Sequence, residues 1–131
     1  MDRPTVLLVD DTPQILEYCT RVLARHYEVI GTASNGIVAL EICAAINPDV
    51  IVLDISMPGL NGIEVARRLR SSGCRAAIVF LSSEELIPEA MEAGGSAFVE
   101  KSLMSSDLLV AIREALAGRR FISSFPADES D

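Results

Sequence analysis

Acidic, hydroxyl and basic side chains stand directly after several apolar runs of this chain. In sequence order they are Asp10, Asp11, Asp54, Ser82 and Lys101. Carboxylates that are brought together repel one another unless a cation lies among them. Lys101 and a bound metal ion are the two candidate cations. An all-oxygen site open to water favours Mg²⁺, with Mn²⁺ as the alternative ion.

This combination of side chains would suit phosphoryl transfer. A carboxylate beside Mg²⁺ can attack a phosphoryl donor and form an aspartyl-phosphate, while the metal offsets the charge on the transferred group. The ammonium of Lys101 could hold a phosphoryl oxygen, and the hydroxyl of Ser82 could donate a hydrogen bond to it. The alternative is that each residue merely terminates its strand, which is ordinary for one or two strands but not for four.

The elements that would position these residues alternate between strands and helices. Uninterrupted runs of Val, Ile and Leu predict strands that are buried on both faces, as in a parallel sheet covered by helices. Five strands are expected, over residues 5–9, 27–33, 49–54, 76–81 and 97–99. Connections this short imply right-handed crossovers. The sequence therefore predicts a single α/β domain with a doubly wound, five-stranded parallel sheet.

Five amphipathic stretches predict the helices between these strands. Pro13 follows Thr12 at the start of the first helix, and Glu84 fits the start of the fourth. The fifth is expected to be capped within residues 105–107 and to stop at Gly118. On the third, Arg67, Arg68 and Arg70 are expected to face solvent. Because the carboxyl ends of parallel strands meet at one edge, the polar residues should gather in one pocket there.

Composition limits the classes of function. The chain has 131 residues, half of them hydrophobic, and a formal net charge of −8. That charge argues against direct nucleic-acid binding, which depends on cationic contacts to phosphate. Cys19, Cys43 and Cys74 are interpreted as reduced packing residues. No apolar run approaches the roughly 20 residues of a membrane span, and no signal-peptide pattern opens the chain, so we expect a cytoplasmic protein.

The chain resembles the receiver domain of bacterial two-component response regulators. The motifs that carry the resemblance are Leu8–Asp11, Leu53–Asp54, Met57–Gly59 with Gly62, Leu81–Ser82 and Phe98–Lys101. The last helix and the residues after it resemble the LuxR/NarL-like subfamily. The resemblance implies a flavodoxin-like (βα)5 fold. It also implies a receiver domain over residues 1–118, followed at 119–131 by a tail or by the start of a linker to an output domain outside these 131 residues.

The resemblance also implies a metal site and a phosphorylation site. Asp54 would be the phosphoacceptor. Asp10 and Asp11 would be metal-binding acids that share a Mg²⁺ ion with Asp54. The backbone carbonyl of Ser56 would be a further ligand of that ion.

Three more residues take roles from the resemblance. Ser82 would be the switch hydroxyl, Phe98 the aromatic switch residue and Lys101 the phosphate-binding lysine. The chain departs from the family pattern at three positions. Phe98 stands where tyrosine is commoner, which loses a hydroxyl but keeps the aromatic bulk. Ser102 stands where proline is frequent after the lysine, which would leave that loop more mobile, and Ser83 is bulkier than the usual Ala or Gly.

The function implied is a phosphorylation-driven switch. A histidine kinase or phosphotransfer protein would supply the phosphoryl group, and the face of the fourth helix, fifth strand and fifth helix would change its partner. That partner would be an output domain, a downstream protein or a second copy in a homodimer. Such a switch turns over no separate substrate. The alternatives are a phosphate-independent interaction module and a phosphohydrolase, although Ser56 stands where such hydrolases often place a second Asp.

Overall fold

The computed structural model describes residues 3–123, which form one parallel sheet with helices on both faces. The strands are β1 (Thr5–Val9), β2 (Glu28–Ala33), β3 (Val50–Asp54), β4 (Ala77–Ser82), β5 (Ala97–Glu100) and β6 (Phe121–Ile122). The helices are α1 (Pro13–Leu23), α2 (Gly36–Ile46), α3 (Gly62–Ser71), α4 (Ile87–Glu92) and α5 (Met104–Leu116), with a 3-10 turn at Lys101–Leu103.

The strand order is β2-β1-β3-β4-β5-β6, and every neighbouring pair is parallel. The predicted doubly wound α/β fold with five helices is therefore confirmed. The prediction of five strands was one too few, because β6 pairs with β5 through Phe121 and Ile122. Two residues are too short a run to show a strand pattern in sequence.

The core lies in two layers, one on each face of the sheet. The layer under α2, α3 and α4 includes the buried residues Leu7, Ile51 and Phe80. The layer under α1 and α5 includes Val52 and Leu81 instead. Successive residues of a strand point to opposite faces, so a strand covered on both sides must be apolar throughout. This explains the uninterrupted apolar runs of the sequence.

Two helix starts differ from the sequence prediction. α4 begins at Ile87 rather than at Glu84, because Pro88 fits only a first turn and the backbone of Glu84 is hydrogen-bonded to the Ser82 side chain. α5 begins at Met104 with no side-chain cap, because the preceding 3-10 turn runs directly into it.

Arg70 at the end of α3 does not face solvent, contrary to the prediction. Its guanidinium is half-buried and donates hydrogen bonds to the carbonyl oxygens of Gly94, Cys74 and Ala76, at 2.7 to 3.3 Å. Arg67 and Arg68 are exposed as expected. Arg70 therefore ties the end of α4 to the turn that precedes β4.

The three cysteines are free thiols, and Cys19 and Cys43 are buried. Burial, helped by the charge of Asp10, raises the pKa of Cys19 to about 11, and burial raises the pKa of Cys43 to about 11 as well. Both thiols are therefore protonated at neutral pH, in keeping with a packing role. Over residues 3–123, none of the helices is both long enough and apolar enough to cross a membrane.

Candidate functional site

Four adjacent strands bring the polar residues to one edge of the sheet. Asp10 follows β1, Asp54 ends β3, Ser82 ends β4, and Lys101 follows β5. One carboxylate oxygen from each of Asp10, Asp11 and Asp54 lies within 4.8 Å of the other two. The predicted meeting of these side chains is therefore observed, and it has the donor chemistry of a divalent-metal site.

Lys101 joins two of these carboxylates. Its Nζ lies 3.1 Å from Oδ2 of Asp10 and 3.4 Å from Oδ1 of Asp54. Burial lowers the pKa of Lys101, but hydrogen bonding to Asp10 and the charges of Asp54 and Asp10 outweigh it, so the net pKa is raised. The ammonium is therefore charged at neutral pH, and it offsets part of the negative charge of the cluster.

Asp54 is a buried carboxylate with a raised pKa. It is 2% exposed, and burial, followed by the charge of Asp10, raises its pKa to about 6 even though Lys101 acts in the opposite direction. Its Oδ1 accepts a hydrogen bond from the Ser56 N–H at 3.3 Å. Its Oδ2 is buried and has no hydrogen-bond partner within residues 3–123. An unpaired buried carboxylate oxygen is unfavourable, and a divalent cation would satisfy it.

The other two acids are held differently. Asp10 is buried, its Oδ1 accepts a hydrogen bond from the Thr12 N–H at 2.8 Å, and its Oδ2 faces Lys101. Asp11 is exposed. Asp10 is therefore fixed in direction, whereas Asp11 opens the cluster to water. These three carboxylates fit Mg²⁺ or Mn²⁺, both of which accept oxygen ligands and keep bound water.

The loop after β3 closes tightly beneath Asp54. The Gly62 N–H donates to the Ile55 carbonyl at 2.9 Å. A Cβ at Gly62 would lie 2.1 Å from the Asp54 carbonyl oxygen, so any larger residue would displace the backbone. Asn61 caps α3 by accepting from the Glu64 N–H. Gly62 therefore sets the path by which the chain leaves the phosphoacceptor candidate.

Ser56 and Ser82 are linked through Glu84, a residue whose contacts the sequence did not predict. The Ser56 hydroxyl donates to the Glu84 carboxylate. The buried Ser82 hydroxyl donates to the Glu84 carbonyl at 3.0 Å and accepts from the Glu84 N–H at 2.9 Å. Glu84 therefore bridges the loops after β3 and β4. Ser82 is engaged with its own loop and would have to change partner to reach a group on Asp54.

Phe98 lies inside the protein. It is fully buried in the layer that includes Phe80, its register partner on β4. On the other side it is paired with Ile122 of β6. The Phe98 side chain is therefore in the core, on the strand that lies between β4, which carries Ser82, and β6.

A comparison of sequences agrees with this geometry. The sequence model of the family described as the response regulator receiver domain matches residues 6–113, a range that includes every predicted site residue from Asp10 to Lys101. The chain belongs to this family. Receiver domains take part in phosphorylation-dependent signalling between two components.

Curated relatives of this chain are response regulators that are longer than the chain itself. It is 35% identical over 124 residues to the nitrate/nitrite response regulator protein NarL of Escherichia coli K12, covering 91% of this chain and 57% of the relative. It is 33% identical over 123 residues to the response regulator GacA of Pseudomonas aeruginosa, covering 90% of this chain and 58% of the relative. The receiver domain thus spans just over half the length of these relatives.

Solved structures agree on the fold. A LuxR-family two-component response regulator from Aurantimonas sp. SI85-9A1 superposes with a TM-score of 0.88 at 33% identity, covering 93% of this chain and 91% of that one. The signal receiver domain of the putative response regulator NarL from Mycobacterium tuberculosis superposes with a TM-score of 0.86 at 29% identity. It covers 91% of this chain and 100% of that one. The predicted resemblance to the LuxR/NarL-like subfamily is therefore confirmed.

Proposed function

We propose that this receiver domain accepts a phosphoryl group on Asp54, with Mg²⁺ bound by Asp10, Asp11, Asp54 and the Ser56 carbonyl. The observation that supports this most directly is the buried, unpartnered Oδ2 of Asp54 in a three-carboxylate cluster beside Lys101. Mn²⁺ is the alternative ion. We further propose that residues 1–118 act as the switch and that residues 119–131, of which 124–131 lie outside the described residues, are a tail or the start of a linker to an output domain.

The step is a displacement at phosphorus. A carboxylate oxygen of Asp54 forms a bond to phosphorus, and the bond from phosphorus to the donor atom breaks. The donor atom is an imidazole nitrogen of a histidine kinase or phosphotransfer protein, and it keeps the electron pair and later takes a proton from water. The metal, when bound, offsets negative charge on the transferred group. With a pKa of about 6, Asp54 is mostly ionised at neutral pH and can act as the nucleophile.

The chain's own residues have separate tasks in this step. Lys101 already touches Asp54 and Asp10, and its ammonium would pair with an oxygen of the new phosphoryl group. Ser82 would release the Glu84 backbone and donate its hydroxyl to another phosphoryl oxygen. The Phe98 side chain is already buried. It would keep this interior position when Ser82 moves towards Asp54. The result is a population shift between two arrangements of the same loops.

The output would pass through the face formed by α4, β5 and α5, on which β6 covers the edge of β5. We propose that phosphorylation changes what this face binds, whether an output domain, a downstream protein or a second copy in a homodimer. With a net charge of −8, this chain is not expected to grip nucleic acid itself. Nor do we expect it to turn over a separate substrate, because Ser56 stands where phosphohydrolases with an aspartate nucleophile often place a second Asp as the general acid.

Intact mass spectrometry tests this function. The chain is incubated with acetyl phosphate and Mg²⁺, beside an Asp54→Asn variant and beside a sample with excess chelator. We expect a gain of one phosphoryl group that needs both Mg²⁺ and Asp54. No gain across several small donors, with the protein folded, would refute the proposal and favour a phosphate-independent interaction module. Repeated turnover of a phosphoester substrate would favour a phosphohydrolase instead.

A further inference from the structure

Residues 119–123 return along the edge of β5 and are called here the C-terminal strap. The chain turns at Gly118, whose φ is +79°, and then pairs Phe121 with Ala97 and Ile122 with Phe98. The Ser123 N–H donates to the Phe98 carbonyl at 2.9 Å. Phe121 packs against the layer under α5. The strap therefore covers the edge of the strand that leads to Lys101.

Ser123 makes a buried polar junction at the end of the strap. It is 2% exposed. Its hydroxyl accepts from the Glu100 N–H at 3.1 Å and donates to Oδ2 of Asp107 at 2.8 Å. The other carboxylate oxygen of Asp107 accepts from the Ser106 hydroxyl at 3.0 Å. A hydrogen bond to a charged group is stronger than one between neutral groups, and more so when water is excluded.

The two partners of Ser123 bracket the segment that carries Lys101. Glu100 ends β5, Lys101 is the next residue, and Asp107 lies in the first turn of α5. One hydroxyl thus holds both ends of residues 100–107. Within this segment, residues 101–103 form a short 3-10 turn, and the Ser102 hydroxyl donates to the Glu100 carboxylate.

We propose that Ser123 is a positioning residue for Lys101, and that docking of the C-terminal strap is thereby coupled to phosphoryl binding at Asp54. This inference rests on the proposed function. A phosphoryl group that binds Lys101 would shift the backbone around this residue. That shift would reach the strap through the two hydrogen bonds of Ser123, with the Glu100 N–H and with Asp107. Coupling between two sites is reciprocal, so the docked strap favours phosphoryl binding by the same factor by which phosphoryl binding favours docking. The strap is also the segment from which the chain continues beyond residue 123.

The test measures binding of beryllofluoride with Mg²⁺, a phosphoryl mimic, to the full chain. Ser123→Ala removes the hydroxyl and is expected to weaken binding about fivefold or more. Ser72→Ala is the matched control, because it removes a serine hydroxyl bonded to a backbone carbonyl at the end of α3, at 2.8 Å from Leu69. We expect that control to bind as the parent does. Urea unfolding of both variants verifies that they are folded.

A double-mutant cycle separates positioning from general damage. If Ser123 acts through Lys101, Ser123→Ala has no further effect on beryllofluoride affinity in a Lys101→Gln background. Amide exchange gives an independent readout in the parent, where beryllofluoride should slow exchange at Glu100 and Ser123 by the factor that Ser123→Ala costs in affinity. Unchanged exchange at these two amides would overturn the coupling even if Lys101→Gln binds too weakly to measure.

The outcomes distinguish this inference from the function on which it rests. A parent chain that neither gains a phosphoryl group nor binds beryllofluoride refutes both. A parent that binds normally, with an equal loss from Ser123→Ala in both backgrounds or with no loss at all, overturns only the positioning role of Ser123.

Discussion

Replacing Asp54 with asparagine should stabilise the chain at neutral pH when no metal is present. Burial and the charge of Asp10 raise the pKa of Asp54 from its ordinary value of 3.8 to about 6, which means that the folded chain holds this carboxylate at a disadvantage. Asparagine has nearly the same shape and no charge. The variant that abolishes the proposed phosphorylation is therefore expected to be the more stable protein.

The size and sign of the effect follow from proton linkage. Between about pH 4 and about pH 6 the folded chain keeps a proton on Asp54 that the unfolded chain has lost, so the parent loses stability as pH rises. A shift of about two pKa units at 1.36 kcal/mol per unit gives about 3 kcal/mol as an upper value. The advantage of Asp54→Asn should be smallest near pH 4, grow up to about pH 6 and stay level above it.

Urea unfolding of parent and variant at a series of pH values measures this difference. Glu41→Gln, which removes an exposed carboxylate on α2, is the control and should show no such pH dependence. Saturating Mg²⁺ should raise the stability of the parent more than that of the variant, because Asp54 is a proposed ligand. A variant that is equally or less stable than the parent at about pH 8 without metal would refute the reasoning.

Three further substitutions test other parts of the structure. Gly62→Ala should lose about 3 kcal/mol of unfolding free energy in urea, because its Cβ would meet the backbone at 2.1 Å. The control Gly31→Ala, whose nearest contact would be at 3.8 Å, should lose under about 1 kcal/mol. Equal losses would contradict this prediction. Arg70→Met should lose about 2 kcal/mol by leaving three carbonyls unpaired, and exposed Arg68→Met almost nothing. Ser83→Ala should speed phosphorylation and dephosphorylation about threefold by widening access, and unchanged rates would end that idea.

The fold could be predicted because its information is local and redundant. Val50 to Leu53 form an uninterrupted apolar run, and only a strand covered on both faces requires one. The same topology then places Asp10, Asp54 and Lys101 at one edge without further information. The meeting of the site residues was thus a consequence of the strand pattern, and their spacing within the site was not needed to predict it.

What the sequence did not predict depends on contacts between residues far apart in the chain. Arg70 looks like any exposed arginine on α3, and its burial follows only from where the Gly94 carbonyl ends up. The sequence around Glu84 predicts a helix start, but its carboxylate accepts a hydrogen bond from Ser56, which lies 28 residues earlier in the chain. Ser123 follows a two-residue strand that carries no periodicity, so neither its burial nor its link to Glu100 had a local signal.

The hydrogen bonds from Arg70 to the Gly94 carbonyl hold the C-terminal end of α4 in place. The six residues of α4 span about 9 Å. Any rotation of the helix would pivot at Gly94, which Arg70 holds on the C-terminal side. The N-terminal end packs against the core layer through Leu86 and Ile87, and it adjoins the loop in which Ser82 and Glu84 are hydrogen-bonded to each other. A displacement of about 1 Å there would swing the helix by roughly 6° about Gly94. A side-chain rearrangement at the strand ends would thus be converted into rotation of an outer surface, without any movement of the sheet.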